Sequence, residues 1–118
     1  MKKIYHLSTC STCKRILADL KPGSDVQIRE IKEQRLTEKE VDELAEIAGS
    51  YEAIFSKVAM KYRALGLDKM KLTEADFKRY ILEEYTFLRR PVVVVDRHIF
   101  IGSAKKTIEE AKSYLRGR

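Results

Sequence analysis

The sequence predicts an α/β fold in which a βαβ unit and a ββα unit build a mixed four-stranded sheet. Two observations lead to this prediction. Strand and helix patterns alternate over residues 2–31, and two apolar runs precede an amphipathic helix over residues 92–115. Between these segments, residues 37–85 show only helical spacing, which predicts an all-helical insertion. At 118 residues, the chain is long enough to form one domain with its own core.

The first unit follows from the apolar pattern of residues 2–31. Apolar residues alternate over residues 2–7, which predicts a strand, and residues 10–21 have helical spacing up to Pro22-Gly23, which ends the helix. The apolar positions from Val26 to Ile31 predict a second strand. Two strands joined by one helical crossover pair in parallel.

The predicted insertion contains four helices. A capping-box pattern begins the first helix at Thr37, and Gly49 ends it. Residues 51–57 and 59–65 predict two short helices. A further helix is predicted over residues 73–85.

The second unit begins with Val92–Val95, a run of β-branched residues that predicts a strand buried on both faces. A turn at Asp96-Arg97 leads into a strand at Ile99–Ile101, so the two strands form a hairpin. Ser103 is expected to cap a last helix. The buried face of this helix is predicted to comprise Ile108, Ala111 and Leu115.

Both cysteines of the chain lie in the turn between the first strand and the first helix. The helix begins at Cys10, where backbone N–H groups and the positive end of the helix dipole favour a thiolate. Cys13 lies one turn further on, so the two sulfurs are close enough for a disulfide. We therefore expect Cys10 to be a nucleophile and Cys13 to be either a resolving thiol or a small core residue. A CxxC motif at this junction suits a thioredoxin-like core of residues 1–36 and 86–118, with residues 37–85 inserted.

A metal site is the alternative use of two cysteines. A zinc ion would need His6 and His98 as its remaining ligands, and the four residues lack the spacing of a zinc finger. We therefore expect no metal. His98 is expected at the surface, while His6 either packs in the first strand or helps to ionise Cys10.

The net charge of +6 is unevenly distributed. Residues 1–36 and 86–118 each carry eight Lys and Arg, against four and three Asp and Glu, whereas residues 37–85 carry eight against eleven. Basic groups around the cysteines would stabilise a thiolate and attract a small anionic substrate, although the charge alone is equally typical of a solvated lysine-rich surface. The sequence lacks a basic helix with interleaved aromatic residues, a membrane-spanning apolar run and a signal-peptide pattern. We expect a cytoplasmic protein that binds neither nucleic acid nor membrane, in which a CxxC is redox-active rather than structural.

Three segments carry a resemblance to a known family. They are Tyr5-His6 ahead of Cys10-Ser11-Thr12-Cys13, the segment Lys61–Leu67 and the segment Leu88–Val94. With these segments at family spacing, the chain resembles the ArsC/Spx family over essentially its whole length. The resemblance implies a thioredoxin-like core with a helical insertion. It also suggests a cis peptide bond between Arg90 and Pro91, since thioredoxins carry one at the comparable proline.

One branch of this family reduces arsenate, and the resemblance assigns roles to matching residues here. It implies that Cys10 attacks the oxyanion and that His6 helps to ionise the Cys10 thiol. It also implies that Arg90 lies beside the site. Glutathione and glutaredoxin then resolve the adduct. This branch holds its substrate with three arginines, of which only Arg90 is matched. The other two positions fall on Ser56, next to Lys57, and near Ile101-Gly102.

Four further residues are expected on the substrate side of the site. Backbone N–H groups of the cysteine loop can form an anion-binding nest, and a lysine follows directly. In this family the peptide bond before the proline lies beside the cysteine loop. The expected substrate-binding residues are therefore Ser11, Thr12, Lys14 and Pro91.

The second branch consists of Spx-like transcription regulators. They bind the C-terminal domain of the RNA polymerase α subunit and sense oxidation through a CxxC motif. That motif is present here. At the position where Spx-like proteins have a glycine for the polymerase contact, this chain has Ser50, and Gly49 is the residue before it.

We expect a thiol-dependent oxidoreductase with no bound cofactor, reduced by glutathione or by a thioredoxin or glutaredoxin system. The alternatives are an Spx-like regulator and a protein that binds glutathione without catalysis.

Overall fold

The structure, a computed structural model, describes residues 1–117 and contains one mixed sheet flanked by helices in that range. Its strands are β1 (Lys2–His6), β2 (Val26–Glu30), β3 (Val92–Val95) and β4 (His98–Ile101). Its α-helices are α1 (Ser11–Leu20), α2 (Glu38–Ala48), α3 (Met60–Ala64), α4 (Glu74–Glu83) and α5 (Lys105–Leu115). The strand order is β2-β1-β3-β4, with β1 parallel to β2 and the other neighbours antiparallel. The predicted α/β fold with a mixed four-stranded sheet is confirmed.

The described chain divides into two compact units. The first comprises Met1–Arg35 and the chain from Arg90 onward, and it contains the whole sheet with α1 and α5. The second, Leu36–Arg89, contains α2, α3 and α4. The description of the chain as one domain with an insertion at 37–85 stays a prediction. Within residues 1–117, every helix is too short or too polar to cross a membrane.

The core of the first unit forms around the inner strands β1 and β3. All four valines of β3 are buried, as the sequence predicts for a strand buried on both faces, and β3 has a paired strand on each side. One apolar cluster joins this sheet to both helices of the unit, and it includes Ile4, Ile16, Leu20, Val93, Val95, Ile108 and Ala111. The predicted buried positions Ile108 and Ala111 lie in this cluster, and Leu115 packs against it half-buried.

Two helices of the second unit begin with the capping interactions that the sequence indicates. The Thr37 hydroxyl accepts a hydrogen bond from the Glu40 backbone N–H, and the Glu40 carboxylate accepts one from the Thr37 N–H. Thr73 and Asp76 make the same reciprocal pair at the start of α4. Each pair satisfies N–H groups that a helix leaves without intrahelical partners.

Two local predictions are wrong. Residues 51–57 contain only the short 3₁₀ helix Glu52–Ile54, because the backbone becomes extended at Phe55, which forms an isolated bridge with Leu88. The N-cap of α5 is Ala104 rather than Ser103, and its side chain makes no capping hydrogen bond.

Two isoleucines on neighbouring strands provide a test of the core. Ile4 has no exposed surface, whereas Ile28, its register partner on β2, is 46% exposed. Ile4→Ala is expected to lower the free energy of unfolding by about 2–5 kcal/mol, because it leaves a cavity among packed side chains. Ile28→Ala removes the same atoms and should cost much less. Urea denaturation measures both, and equal losses would contradict this assignment of the core.

Candidate functional site

The candidate site begins in the turn that connects β1 to α1. The Cys10 N–H donates to the Leu7 carbonyl at 3.1 Å, which closes a tight turn. Cys10 is also the N-cap residue of α1, with an extended backbone, and its carbonyl accepts the Lys14 N–H at 3.1 Å. The residue therefore lies where the first N–H groups of the helix have no intrahelical partner.

The two thiols have different surroundings. Both are free, but Cys10 is partly exposed whereas Cys13 is 1% exposed. Partial burial tends to raise the pKa of Cys10, yet the Cys13 N–H and thiol, the Thr12 N–H and the Arg90 charge together hold it below its usual value. Burial raises the pKa of Cys13 to about 11, and the adjacent Cys10 adds to this rise. At neutral pH, therefore, Cys10 is the thiol that is suited to nucleophilic attack.

Arg90 and Pro91 reach the site through the pairing of β1 with β3. Tyr5 lies opposite Val92 in this antiparallel register, so the end of β1 lies next to the start of β3. Pro91 is fully buried, and the Arg90–Pro91 bond is cis, as the resemblance to thioredoxins suggested. The half-buried Arg90 is near enough for its charge to lower the pKa of both cysteines.

His6 is the last residue of β1 and is buried. Its backbone carbonyl accepts the Ile31 N–H at 2.9 Å. Among the residues that the structure describes, its side-chain Nδ1 has no hydrogen-bond partner. Burying such a group costs about 1–3 kcal/mol, and few are kept in native structures. The predicted role of His6 in ionising Cys10 stays a prediction.

The residues expected on the substrate side differ in exposure. Thr12 is half-buried, and its backbone N–H acts on the Cys10 sulfur. Ser11 and Lys14 are exposed on the first turn of α1, and Pro91 is buried. The structure therefore brings Thr12 and the two cysteines together with Arg90, and it leaves the Ser11 and Lys14 side chains at the surface. Their substrate-binding roles stay predictions.

The two positions matched to the further arginines of the arsenate branch also have defined surroundings. Gly102 is buried and donates its N–H to the Pro91 carbonyl at 3.0 Å. The first position therefore lies next to Pro91, but its glycine has no side chain. Ser56 belongs to the second unit, where it is buried and its N–H donates to the Phe87 carbonyl at 2.6 Å. Neither position supplies a guanidinium group.

Glu30 is a residue near the cysteine loop that the sequence analysis missed. Its carboxylate accepts hydrogen bonds from the backbone N–H and the hydroxyl of Ser8, two residues before Cys10. One signal could have found it. The carboxyl ends of parallel strands meet at one edge of a sheet, so a charged residue that ends β2 lies beside the loop that follows β1.

No group of three or more His, Cys, Asp and Glu side chains within residues 1–117 is arranged to hold a metal ion. The zinc alternative would have needed His98, which is exposed on β4 and packs its ring against Tyr114, with 4.5 Å between the ring centroids.

Together, the sheet order and the CxxC motif at the β1–α1 junction define a protein with a thioredoxin-like fold. Its family follows from comparison with known proteins. The model of the ArsC family matches residues 5–111, so the chain belongs to the ArsC family. No curated protein sequence gives a significant match.

Solved structures with the same fold come from several bacteria. A Yersinia pestis protein superposes with a TM-score of 0.78 at 23% identity, covering 93% of this chain and 99% of that one. An arsenate reductase from Vibrio cholerae has the same TM-score and identity, with 93% and 96% covered. An arsenate reductase (ArsC) related protein from Brucella melitensis gives a TM-score of 0.72 at 21% identity, with 92% of each chain covered. At these identities, the similarity establishes the fold.

The difference between the two thiols predicts a selective pH dependence. The rate of alkylation of Cys10 by iodoacetamide should rise with pH around a midpoint below that of an ordinary cysteine, because the thiolate is the reacting form. Cys13, with its pKa raised to about 11, should stay unmodified through the neutral range. Mass spectrometry of the digested protein after timed alkylation at each pH distinguishes the two. Equal modification of both thiols at pH 7 would contradict the assignment.

The Arg90 charge should contribute to this profile. Arg90→Gln is expected to move the midpoint of Cys10 alkylation to higher pH, because a positive charge that favours the thiolate is lost. Arg89→Gln is the matched control, since the adjacent arginine is exposed and lies in the other compact unit. The same pH series measures both variants, and an equal shift in the control would show a general effect of net charge.

Proposed function

We propose that this protein is a thiol-dependent oxidoreductase of the arsenate reductase type, with Cys10 as its nucleophile. The observation that supports this most directly is the environment of Cys10. The residue is partly exposed at the first turn of α1, and nearby N–H groups and Arg90 lower its thiol pKa. Membership of the ArsC family supports the same reaction class.

In the first step, the Cys10 thiolate attacks the arsenic atom of arsenate. An As–S bond forms and an As–O bond breaks, and the departing oxygen takes up protons and leaves as water. Arg90 is proposed to pair with the remaining arsenate oxygens. The backbone N–H groups of Ser11 and Thr12 are proposed to donate further hydrogen bonds to these oxygens. His6 would accept the thiol proton of Cys10 where the thiol is not already ionised.

The second step reduces the arsenic. A second thiol attacks the Cys10 sulfur, an S–S bond forms, and the electron pair of the As–S bond remains on arsenic, which leaves as arsenite. Two thiols thus lose two electrons, and As(V) becomes As(III). The second thiol is either Cys13, which gives an internal disulfide, or glutathione, which gives a mixed disulfide. Glutathione, glutaredoxin or thioredoxin would then restore the Cys10 thiol by thiol–disulfide exchange.

The oxyanion is expected to bind weakly. Arg90 is the one family-matched arginine here, while Gly102 and Ser56 stand where the arsenate branch has guanidinium groups. Each bidentate guanidinium–oxyanion pair adds two charge-assisted hydrogen bonds, so two missing pairs raise the KM for arsenate more than they affect thiol chemistry. The proposed substrate class is therefore a small oxyanion or an oxidised thiol compound rather than arsenate alone.

A coupled assay tests the reductase proposal. Arsenate, glutathione, glutaredoxin, glutathione reductase and NADPH are combined with the wild type or with Cys10→Ser, and loss of NADPH absorbance is followed. We expect turnover that the Cys10 variant abolishes, because burial raises the pKa of the other cysteine, Cys13, to about 11. Wild-type activity no greater than that of the variant would exclude arsenate as a substrate.

The same assay with Cys13→Ser assigns the resolving thiol. If the internal disulfide is obligatory, this variant should form the arsenic adduct yet fail to turn over. Unchanged turnover in Cys13→Ser would exclude the internal route and leave glutathione as the resolving thiol.

The second candidate function is an Spx-like regulator. It is favoured by the pair of free thiols in contact in a CxxC motif, which a glutathione-resolved reductase does not need. This alternative predicts a complex with the C-terminal domain of the RNA polymerase α subunit whose affinity changes when the motif is oxidised. Calorimetric titration of the purified domain into reduced and oxidised protein measures this. The absence of binding in both states would exclude the regulator.

A further inference from the structure

The side chain of Glu30 connects the cysteine loop to the end of β2. In the parallel register of β1 and β2, Glu30 lies beside His6, so both strands end at the same edge of the sheet. The carboxylate Oε1 accepts the Ser8 N–H at 2.8 Å and the Ser8 hydroxyl at 3.1 Å. The Oε2 atom accepts the Glu33 N–H at 2.6 Å. One half-buried carboxylate thus bridges two loops that are separated along the chain.

These hydrogen bonds act on the turn that delivers Cys10 to the helix. Ser8 lies within this turn, which the Cys10 N–H closes on the Leu7 carbonyl. Hydrogen bonds to a charged acceptor are roughly twice as strong as those between neutral groups. Burial alone would raise the pKa of Glu30, but hydrogen bonds from Ser8, Glu33 and Lys32 hold it below its usual value. The group is therefore an anion throughout the neutral range.

We propose that Glu30 is a positioning residue for Cys10. By holding Ser8, its carboxylate keeps the turn in the geometry that directs the Thr12 and Cys13 N–H groups at the Cys10 sulfur. Within residues 1–117, the hydrogen bonds of its carboxylate come from Ser8, Lys32 and Glu33, and Glu30 acts on Cys10 through Ser8. The inference rests on the proposed function of Cys10 as a nucleophile.

Positioning and simple electrostatics predict opposite effects when the carboxylate is removed. A negative charge near a thiol disfavours the thiolate, so loss of the charge alone would lower the pKa of Cys10. Loss of the turn geometry would weaken the N–H interactions with the sulfur and raise that pKa. The direction of the shift therefore separates the two roles.

The experiment compares Glu30→Ala and Glu30→Gln with the matched control Glu33→Gln. Glu33 contributes only its backbone N–H to the Glu30 interaction, so E33Q keeps that contact while removing a carboxylate from the same region. Iodoacetamide alkylation of Cys10 is followed from pH 5 to 10 by mass spectrometry on the full chain. Circular dichroism and urea denaturation confirm that each variant is folded.

We expect E30A to raise the midpoint of alkylation by about half to one pH unit, which corresponds to roughly three- to tenfold less thiolate at pH 7. E30Q should restore most of the wild-type profile, because its amide oxygen still accepts from Ser8, and E33Q should match the wild type. If E30A does not fold, Glu30→Asp replaces it, since its carboxylate is one methylene too short to reach Ser8 and Glu33 together.

Two outcomes would overturn the proposal. A midpoint that stays or falls in E30A would exclude positioning, and equal rises in E30A and E33Q would show a general effect of surface charge. A failure of the proposed function looks different. In that case the wild type itself would show the midpoint of an ordinary cysteine, before any variant is considered.

Discussion

The antiparallel pairing of β1 with β3 is the contact on which the candidate site depends. Tyr5 and Val92 are opposite each other in this register, so the loop that carries Cys10 leaves the sheet where Arg90 and Pro91 enter it. About eighty residues of chain separate these segments. Burial of the four valines of β3 stabilises their meeting. Core packing thus determines the electrostatic environment of the thiol.

The site also shows how one helical turn can produce two chemically different cysteines. Cys10 and Cys13 share a helix terminus, but Cys13 faces the interior whereas Cys10 remains partly exposed. Burial in a medium of low dielectric constant penalises a thiolate, and directed N–H groups with a nearby guanidinium favour it. The first effect dominates at Cys13 and the second at Cys10. A difference of three positions in the sequence is therefore enough to separate a thiol of lowered pKa from a buried thiol of raised pKa.

The features that the sequence predicted well are those that local patterns determine. The valine run, the capping residue Thr37 and the junction at Cys10 each act within a few residues, so their spacing is informative. The short 3₁₀ helix at 52–54 was harder to predict. Its neighbour Phe55 has apolar spacing compatible with a helix, but a bridge to Leu88, distant in sequence, holds the backbone extended.

Parts of the candidate site depend on contacts between distant residues and could not follow from spacing. Arg90 was found through family resemblance, because its proximity to Cys10 requires the register of β1 and β3. Glu30 was missed because its partner Ser8 lies 22 residues away on the neighbouring strand's loop. The spacing of residues along the chain does not separate this glutamate from a solvated surface residue, and only the parallel pairing of β1 with β2 places it beside the cysteine loop.

The unequal burial of the thiols has a consequence for how an oxidised form would be reopened. An incoming thiolate reaches the exposed sulfur of Cys10, and this attack expels Cys13 as the leaving group. Burial raises the pKa of the Cys13 thiol, and a leaving thiol of high pKa departs slowly. Attack in the other direction, which would expel Cys10, has to reach Cys13, which is 1% exposed. A Cys10–Cys13 disulfide would therefore be kinetically persistent. Such a disulfide would be reopened faster by a reductant that protonates Cys13 as it leaves.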